Sequence, residues 1–489
     1  MTGPAWLSGT GPAPSRPPQD FPGRGSTARC RGGRNHEFRL EPEMGTTQTP
    51  EHVVVIGAGM VGLSTAWYLQ ERGVKVTVVD REGVAAGSSW GNAGWLTPAL
   101  TLPLSEPSVL TYGLKTMFDP ASPLYIPLSA KPSLIRFLLG FARHCTPGKW
   151  REAMAVFSEI GATGLDAFDE LAEGSTITKS ARNSAEANAW GADPGAGSVA
   201  LSTGMSEKTK PAEPFLTGFK NLKDRDALLH EFEGIRASGG KVEFDLLSAD
   251  DIRAMEPTLG DGVKAGVQIH DQRFINPPKF MDSLADSVVA RGADIVTGFD
   301  VVDIREHAHG VEVVDAQGRI QHADSVVIAS GAWLGQLAKK FGVKRVVQAG
   351  RGYSFTVVPE VMPTHPIYFP AQRVACTPLG DRFRVAGTME FRDADHPLEP
   401  KRIEAIVAAA SPLFTGINWE DRQEEWVGSR PCTTDGLPLI GATRSSRVHV
   451  AGGHGMWGVA LGPLTGKMLA ASITGESVPA VMRHFNPLR

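Results

Sequence analysis

The stretch VVVIGAGMVG, residues 53–62, is a run of β-branched residues that ends in three spaced glycines. Its first four residues form the continuous apolar run typical of a parallel strand buried on both faces. Gly57, Gly59 and Gly62 match G-x-G-x-x-G: the first allows a tight turn, the second lets the backbone approach a pyrophosphate, and the third permits close helix packing. The stretch therefore predicts the opening of a dinucleotide-binding βαβ unit.

The next residues supply the remainder of that unit. The pattern predicts a helix over residues 60–71 and a second strand over residues 75–80, which ends at Asp80. A carboxylate in this place can accept hydrogen bonds from a ribose diol and repels the additional phosphate of NADP. FAD and NAD both remain open at this point, because the two cofactors share an ADP half.

Length and composition limit the class of protein. A chain of 489 residues usually holds more than one core, so two domains of mixed α/β type are expected. The formal net charge is −4 and there is no long basic run, so nucleic acid is not an expected partner. Four cysteines without metal-ligand spacing indicate a reducing compartment, for which the cytoplasm fits best, and no metal site is expected.

Two segments bear on location. The residues before Met44 are rich in Pro, Gly and Arg, and we expect residues 1–50 to be a disordered extension. No run approaches 18 consecutive apolar residues, which argues against a membrane-spanning helix. The amphipathic segment KPSLIRFLLGFARHC, residues 131–145, has basic ends and is consistent with either a packed helix or a helix on a membrane surface.

Helical and strand patterns alternate along the rest of the chain without a repeat or a long linker. Helices are predicted over residues 158–171, 224–238 and 278–290, and a loop is predicted around Gly195. Short alternating runs between residues 310 and 391, with a hairpin at Gly380 and Asp381, predict an antiparallel sheet over a pocket. The run SVVIASGAW, residues 325–333, is instead typical of a buried parallel strand, so the two domains are expected to be interleaved.

From about His52 to the C-terminus the sequence resembles the FAD-dependent D-amino-acid oxidase superfamily, and within it the small subunit of D-amino-acid dehydrogenases. The resemblance rests on seven pieces in family order: the glycine motif, SSWGNAGWLTP (88–98), VVIASGAW (326–333), RGYSFTV (351–357), FRVAGTMEF (383–391), GSRPCTTDGLPLIG (428–441) and AGGHGMWGVALGPLTG (451–466). The region from Gly113 to Cys145 resembles a stretch that dehydrogenases carry and glycine oxidases lack. We call the part from Leu114 onward the dehydrogenase-like segment. This favours the dehydrogenase branch.

The resemblance implies an α/β fold in which a Rossmann-like FAD-binding domain is interleaved with an α+β substrate domain built on an antiparallel sheet. We assign the FAD-binding domain to residues 51–100, 210–245, 315–345 and 428–489, and the substrate domain to residues 101–209, 246–314 and 346–427. The physics of the last piece agrees with FAD. A helix that starts near Val459 points its positive end at the ligand, where it would stabilise the negative charge of a reduced flavin.

The implied reaction is oxidation of a D-amino acid or a related secondary amino acid to the imino acid, by hydride transfer to flavin N5. Three alternatives remain open: a glycine- or sarcosine-type oxidase that uses oxygen, a flavoprotein subunit active only in a hetero-oligomer, and an NAD-dependent Rossmann reductase. The partners are an amino-acid substrate and an electron acceptor, either a quinone or a partner protein. Oligomerisation and a peripheral contact with the inner face of a membrane also remain open.

Site residues follow from the same motifs. The cofactor-binding set is Gly57, Gly59, Gly62, Asp80, Ser88, Ser89, Asn92, Gly94, Gly331, His454, Gly455, Met456 and Gly458. On the substrate side the resemblance places Arg430 on the substrate carboxylate, since a guanidinium presents two parallel donors to a planar carboxylate. An ion pair with Asp435 is the alternative for this arginine. The remaining candidates for the pocket are Tyr353, Tyr368, Gln372 and Arg373 on the sheet, and His270 and Arg273 before a helix.

The sequence departs from the family at one place that bears on specificity. Glycine oxidases have an arginine where this chain has Met456, and the dehydrogenases have a threonine-leucine pair in place of Met456 and Trp457. Trp457 is expected to crowd the substrate side of the flavin. The identity of the substrate side chain is therefore left open by the sequence.

Overall fold

A mostly parallel sheet and a larger, mostly antiparallel sheet build the fold of this protein. The computed structural model describes residues 49–107, 109, 122–127, 131–174 and 204–489. Three predictions fall wholly or largely outside these residues: the N-terminal extension, the loop around Gly195, and the part of the dehydrogenase-like segment before residue 131.

The elements are numbered along the chain. The helices are α1 (Met60–Glu71), α2 (Pro132–His144), α3 (Pro147–Gly164), α4 (Asp166–Glu173), α5 (Leu222–Ala237), α6 (Ala249–Met255), α7 (Pro277–Ala290), α8 (Leu334–Ala338), α9 (Pro400–Ala410) and α10 (Gly458–Ile473). The strands are β1 (His52–Ile56), β2 (Lys75–Val79), β3 (Trp95–Leu96), β4 (Leu124–Tyr125), β5 (Lys210–Ala212), β6 (Phe215–Phe219), β7 (Phe244–Ser248), β8 (Ala265–Ile269), β9 (Gln272–Phe274), β10 (Asp294–Val296), β11 (Val301–His307), β12 (Gly310–Asp315), β13 (Ile320–Ala323), β14 (Ser325–Ile328), β15 (Val347–Val357), β16 (Ile367–Phe369), β17 (Val374–Pro378), β18 (Phe383–Phe391), β19 (Gln423–Thr433), β20 (Leu439–Ala442) and β21 (Val448–Gly452).

The first sheet has six strands in the order β10-β2-β1-β14-β21-β20. Strand β1 lies between β2 and β14 and pairs with both in parallel, and Val53, Val54 and Val55 are fully buried. This is the central strand that the opening stretch predicts, because only a strand covered on both faces needs an uninterrupted apolar run. The helix predicted after the glycine motif is α1, with the predicted bounds.

The second sheet has nine strands, with the path β19-β15-β18-β17-β16-β6-β8-β7 and with β4 paired to β18. The hairpin of β17 and β18 turns at Gly380, whose φ is +90°, where the sequence predicted a hairpin. On the other flank of β18, β15 pairs antiparallel with both β18 and β19. The predicted α/β fold class is thus confirmed.

Helices α1 and α10 pack closely against each other, which brings the C-terminal glycine-rich turn beside the glycine motif. An ideal Cβ on Gly466 would lie 2.6 Å from the carbonyl carbon of Ser64, and one on Gly462 would lie 2.5 Å from Cγ of Met60. Larger residues at these two positions would push the helices apart. The two glycines therefore fix the relative position of two turns that lie far apart in sequence.

Two of the predicted domain boundaries need correction. Residues 210–245 were assigned to the FAD-binding domain, but β6 in that range pairs with β8 and β16 of the nine-stranded sheet. Residues 246–314 were assigned to the substrate domain, but β10 in that range pairs in parallel with β2 of the six-stranded sheet. The reason is topological: the chain changes sheet between these segments without a change in composition that would mark the crossing.

The bounds of several helices also differ from the predictions. The helix predicted over residues 158–171 is the end of α3 and the following α4, which are separated near Leu165. Helices α5 and α7 lie within two residues of their predicted bounds. None of the helices in the described part of the chain is long and apolar enough to cross a membrane.

Candidate active site

One large cavity lies between the two sheets, at the carboxyl ends of the parallel strands. Its volume is about 1270 Å³, above the roughly 300–1,000 Å³ of ordinary small-molecule pockets. The glycine motif, Asp80, the loop of residues 88–94, the turn of residues 329–331, the turn of residues 454–459 and residues of β18 and β19 line it. All the predicted cofactor-binding residues except Gly62 are among the lining residues.

The glycines of the opening motif have distinct roles in this wall. Gly57 has a φ of +114°, and an ideal Cβ on it would lie 2.5 Å from the carbonyl oxygen of Ala329. An ideal Cβ on Gly59 would point toward Oγ of Ser89 at 3.2 Å, at the surface of the cavity. Gly62 lies behind the wall, where a Cβ would meet the carbonyl oxygen of Gly57 at 1.9 Å. The first two glycines shape the cavity, and the third allows α1 to approach β1.

Asp80 accepts more hydrogen bonds from the protein than the sequence indicated. Its Oδ2 accepts a hydrogen bond from the backbone of Ala58 at 2.9 Å, and its Oδ1 accepts from Glu82 and Gly83 at 2.8 and 3.0 Å. A carboxylate offers about four lone-pair sites, so acceptor capacity remains on the cavity side. Asp80 can therefore brace the glycine turn and still accept a ribose hydroxyl.

The loop of residues 88–94 is held by its own polar side chains. Oγ of Ser89 accepts from the backbone N–H of Met60 at 3.0 Å, at the start of α1. Asn92 donates to the carbonyl of Ser89 at 2.7 Å and accepts from the N–H of Gly94 at 2.8 Å. Gly94 has a φ of +73°, and a Cβ there would lie 2.3 Å from the carbonyl oxygen of Ile275. This loop thus presents a fixed backbone surface to the cavity, with Ser88 beside it.

The opposite wall contains the turn before α10. Gly331 and Gly455 each have a φ of +57°, and no atom lies within 4 Å of an ideal Cβ on either. Bare backbone therefore faces the cavity here, together with Met456 and Gly458, as a flat ring system would require. His454 is buried, its Nε2 lies 2.8 Å from Oγ1 of Thr465, and burial lowers its pKa to about 4. Its imidazole is thus neutral at pH 7.

The cavity fits an extended dinucleotide carrying a flat ring system. The start of α1 and the glycine turn lie at one end, as a pyrophosphate site requires, and the second glycine-rich turn with the start of α10 lies in the other wall. Oγ of Ser330 is buried in the lining without a hydrogen-bond partner in the described part of the chain. This orphaned hydroxyl is available to a ligand group.

Arg430 projects into this cavity from β19. Burial lowers its pKa, although a guanidinium remains charged at neutral pH. Its side chain lies across the neighbouring strand: an ideal Cβ on Gly352 would lie 2.1 Å from Cζ of Arg430 and 2.2 Å from each Nη. Among the described residues it has no hydrogen-bond or ion-pair partner. Asp435, the alternative partner, binds Arg345 and Arg489 instead.

Tyr368 and Arg373 also line the cavity, and Arg373 lies beside Tyr368 and Glu231. Tyr353, by contrast, is not a lining residue and needs correction. It is fully buried behind the sheet, and its hydroxyl donates to Oε1 of Glu390 at 2.6 Å. Neighbouring residues of a strand point to opposite faces, so Tyr353 faces away from the side on which Gly352 meets Arg430.

Three weaker candidates also lie away from the cavity lining. His270 lies near the surface between Glu213 and Asp245, at 2.7 and 2.9 Å. Nη1 of Arg273 donates to Asp169 at 2.6 Å. Gln372 has a buried side-chain oxygen with no partner in the described residues, and it is not part of the lining. None of the three is retained as a substrate contact.

The sequence analysis missed one cluster near the glycine motif. Arg81 stacks on the ring of Trp333 at 3.8 Å, and both side chains contact Asp395. All three line the cavity, and Asp395 comes from the loop after β18. The cluster therefore joins the two sheets at the cavity wall. Only the position of Arg81, directly after Asp80, could have indicated it from sequence.

A second missed group lies at the other end of the cavity. Glu106 and Glu231 line it together with Trp95 and Trp150. Burial, followed by the charge of Glu106, raises the pKa of Glu231 to about 7. Glu231 lies in an amphipathic helix, α5, whose charged residues are otherwise typical of a solvent-exposed face, so no local pattern distinguishes it.

Trp457 holds the loop that precedes Glu106. Its Nε1 donates to the carbonyl of Leu102 at 2.6 Å, and both residues line the cavity. The expectation that Trp457 crowds the substrate side is consistent with this position. Among the described residues, no group of three or more His, Cys, Asp or Glu side chains could hold a metal ion.

Comparison with known proteins also indicates an FAD-dependent oxidoreductase. The family model described as FAD dependent oxidoreductase matches residues 52–472, and a model described as pyridine nucleotide-disulphide oxidoreductase matches residues 7–89. The chain is 29% identical over 432 residues to a D-amino acid dehydrogenase of Cereibacter sphaeroides, covering 87% of this chain and 92% of the relative. It is 27% identical over 442 residues to a D-amino acid dehydrogenase of Agrobacterium fabrum, covering 88% and 98%.

Solved structures share the fold. Glycine oxidase from Geobacillus kaustophilus superimposes with a TM-score of 0.63 at 20% identity, covering 91% of this chain and 99% of that one.

Proposed function

The chain belongs to the family of FAD dependent oxidoreductases, and on that premise we propose that it oxidises a D-amino acid, or a related secondary amino acid, to the imino acid. FAD, the predicted cofactor, is the cofactor of the family. When bound, FAD supplies the acceptor for the hydride that leaves the substrate Cα. The amino-acid relatives named above support the substrate class.

Arg430 is the observation that carries the proposal. An arginine enclosed in a cavity without a carboxylate partner is costly, because the protein has removed water from a charge without pairing it. A substrate carboxylate restores the pairing through two parallel hydrogen bonds. The guanidinium lies against Gly352, in space that an ideal Cβ at that position would occupy.

Positioning accounts for most of what the chain itself contributes. If Arg430 holds the carboxylate and the amine arrives neutral, the Cα hydrogen can be directed at the flavin, and no separate nucleophile is needed. The imino acid product then hydrolyses in water. Trp457 and the glycine turn beside it would restrict the space left for the substrate side chain.

We further propose that the electrons pass from the reduced cofactor to a quinone or a partner protein, with oxygen a poor acceptor. The support is the dehydrogenase-like segment and the names of the relatives. Rapid reaction with oxygen would instead favour the glycine- or sarcosine-type oxidase. Bound flavin that no amine reduces would favour a subunit active only in a hetero-oligomer.

We also propose a cytoplasmic location with contact at the inner face of a membrane through helix α2. One side of the helix packs through Leu134, Phe137 and Phe141. The other side exposes Ile135 and Leu139, which are 46% and 58% exposed. Arg136, Arg143 and Lys344 lie beside them in a shallow groove, together with Arg345 and Arg489, which are paired with Asp435. Apolar side chains ringed by cations suit an anionic bilayer surface.

Vesicle sedimentation tests the membrane contact. The wild type should bind vesicles that contain anionic lipid and should be released at high salt. A variant with Ile135→Ser and Leu139→Ser should remain in solution with its FAD intact. Equal binding of both proteins, or of neither, would contradict the proposed surface.

Anaerobic reduction of the flavin by a panel of D- and L-amino acids and N-methylglycines tests the function itself. We expect bleaching by D-amino acids or by secondary amino acids. Arg430→Lys should lose most of this activity, because lysine keeps the charge but loses the two-pronged geometry, and Arg430→Ala should lose more. A matched amine without a carboxylate should respond to neither substitution. Near-normal activity of both variants on amino acids would place the anchor elsewhere.

A further inference from the structure

The cavity has a second charged end, well separated from Arg430. The guanidinium of Arg430 lies over Gly352 on β15, whereas Arg373 stands at the start of β17. Strand β18 separates β15 from β17, so two strand spacings, roughly 10 Å, lie between these positions. Arg373 interacts with Tyr368 and with Glu231 of α5, and Tyr368 lies on β16, one strand beyond β17 from β15.

Glu231 is the unusual residue of this end. It is largely enclosed by protein and lines the cavity, yet it has no hydrogen-bond or ion-pair partner among the described residues. A carboxylate in such surroundings is expected to be paired. Its helix neighbour Glu233 is instead exposed to solvent, with Nδ1 of His230 at 3.3 Å.

The balance of charge at this end determines which ligand group fits. The carboxylates of Glu231 and Glu106 both act on the guanidinium of Arg373. An anionic group would meet a cation whose charge is already opposed by both carboxylates. A cationic group would instead meet the carboxylate that lacks a partner. Burial, followed by the charge of Glu106, raises the pKa of Glu231 to about 7, and a cation placed beside this carboxyl would stabilise its ionised form.

The wall around these charges suits the rest of such a group. Trp95 and Tyr368 line it with their rings 5.3 Å apart in an edge-on arrangement. Leu228 and Trp150 add apolar surface. Methylene groups can lie along this surface, and aromatic faces attract cations. The other charged or titratable lining residues of this region are Arg151, Asp224 and His230.

We propose that this end, defined by Glu106, Glu231, Tyr368 and Arg373, is a subsite for the cationic end of a long substrate side chain. The protein would then prefer amino acids that carry an ammonium or guanidinium group on an extended chain. Arg430 holds the α-carboxylate at one end, and Glu231 pairs with the side-chain cation at the other. This inference rests on the proposed function, because it names the substrate class of the same cavity.

D-lysine and D-norleucine form a matched pair for the test, since the side chains share the four-carbon stem and differ in the terminal ammonium. The ratio of their kcat/KM values is measured with an artificial quinone at pH 8, where Glu231 is largely ionised. The wild type should favour D-lysine at least tenfold. Glu231→Gln should reduce this ratio by about 30-fold, in line with the loss of one partner of an enclosed charge pair.

Two further variants and a pH series separate a direct contact from a structural effect. Glu231→Asp keeps the charge and should retain part of the preference, while Glu233→Gln, on the same helix, should leave the ratio unchanged. Between pH 6 and 8 the ratio should rise in the wild type as Glu231 ionises, and it should stay flat in Glu231→Gln. FAD content of each purified variant shows whether the fold is retained.

The outcomes distinguish this proposal from the function on which it rests. Equal use of D-lysine and D-norleucine by the wild type would overturn the subsite and leave amino-acid oxidation standing. A preference for D-glutamate that is lost in Arg373→Gln would also overturn it, because this end would then select anions. If no amino acid reduces the flavin, the proposed function fails and the subsite fails with it.

Discussion

Replacing Gly352 with alanine should disable the carboxylate anchor while leaving Arg430 in the chain. The ideal Cβ at position 352 would lie 2.1 Å from Cζ of Arg430, whereas ordinary contacts of this kind begin at 3.4 Å. The guanidinium must therefore move by about 1.3 Å or more. Gly352 does not adopt a positive φ, so the strand itself can accept alanine.

The size of the effect follows from that displacement. A shift of about 1 Å in a positioning group can cost on the order of a hundredfold in rate. This corresponds to roughly 2.7 kcal/mol of transition-state stabilisation. We therefore expect kcat/KM for amino acids to fall about a hundredfold. FAD content and melting temperature should stay close to those of the wild type, because the clash falls on the flexible end of a side chain.

Stopped-flow reduction of the flavin without oxygen measures the activity of Gly352→Ala directly. The two substrates are the best amino acid of the panel and the corresponding amine that lacks the carboxylate. Only the amino acid should respond. Gly335→Ala is the matched control, because no atom lies within 4 Å of an ideal Cβ on that glycine. Adding Gly352→Ala to Arg430→Ala should cost little more than Arg430→Ala alone, since both remove the same anchor.

Two results would refute the reasoning. An activity of Gly352→Ala within threefold of the wild type would mean that the guanidinium does not hold the substrate from its position over the glycine. Additive losses in the double variant would mean that Gly352 and Arg430 act on different steps. A parallel fall in FAD content would assign the effect to the fold instead.

Three further predictions concern the cofactor site, the electron acceptor and acid stability. Gly59→Val should purify without FAD, judged by flavin absorbance, because its side chain would fill the space beside Ser89; stoichiometric FAD in the folded variant would contradict this. Reduced enzyme should react slowly with oxygen and rapidly with an artificial quinone, and fast peroxide production would place the protein with the oxidases. Burial lowers the pKa values of His449 and His454 to about 4, so the unfolded chain binds more protons than the folded chain between about pH 6.5 and 4. The free energy of unfolding should therefore fall as the pH is lowered through that window, by about 3 kcal/mol per histidine over the whole window. Urea unfolding at pH 7.5 and pH 5 checks this, and His449→Asn should show a smaller difference between the two.

The sequence was most informative where structure is local. Strand β1, helix α1 and the glycine turn follow from residues adjacent in the chain, whose apolar run and glycine spacing leave few alternatives. Arg430, which was predicted from its motif, lines the cavity. Tyr353 was assigned to the wrong face of its strand. Neighbouring residues of a strand point to opposite faces, and the motif does not show which face meets the cavity.

The charged end of the cavity could not be predicted, because it forms only through long-range pairing. Glu231 on α5 and Arg373 before β17 meet through the order of strands in the nine-stranded sheet. The same holds for Gly352, whose need to be glycine comes from a side chain on β19. Neither relation leaves a local trace in composition or periodicity. The misplaced domain boundaries have the same cause.

The backbone links Arg430, the proposed carboxylate anchor, to the glycine turn that the sequence analysis assigns to the flavin. Two residues after Arg430, Cys432 forms an antiparallel bridge with His454, the residue before the glycine turn. Thr433 then packs against Gly453, where a Cβ would lie 2.7 Å from its Cγ2 and where φ is +76°. The distance from the backbone of Arg430 to the turn of residues 455–457 is thus set by this bridge and by the contact between Thr433 and Gly453. Because hydride transfer depends steeply on that distance, changes along this bridge should act on the rate of flavin reduction, whereas changes in the glycine motif should act on FAD retention.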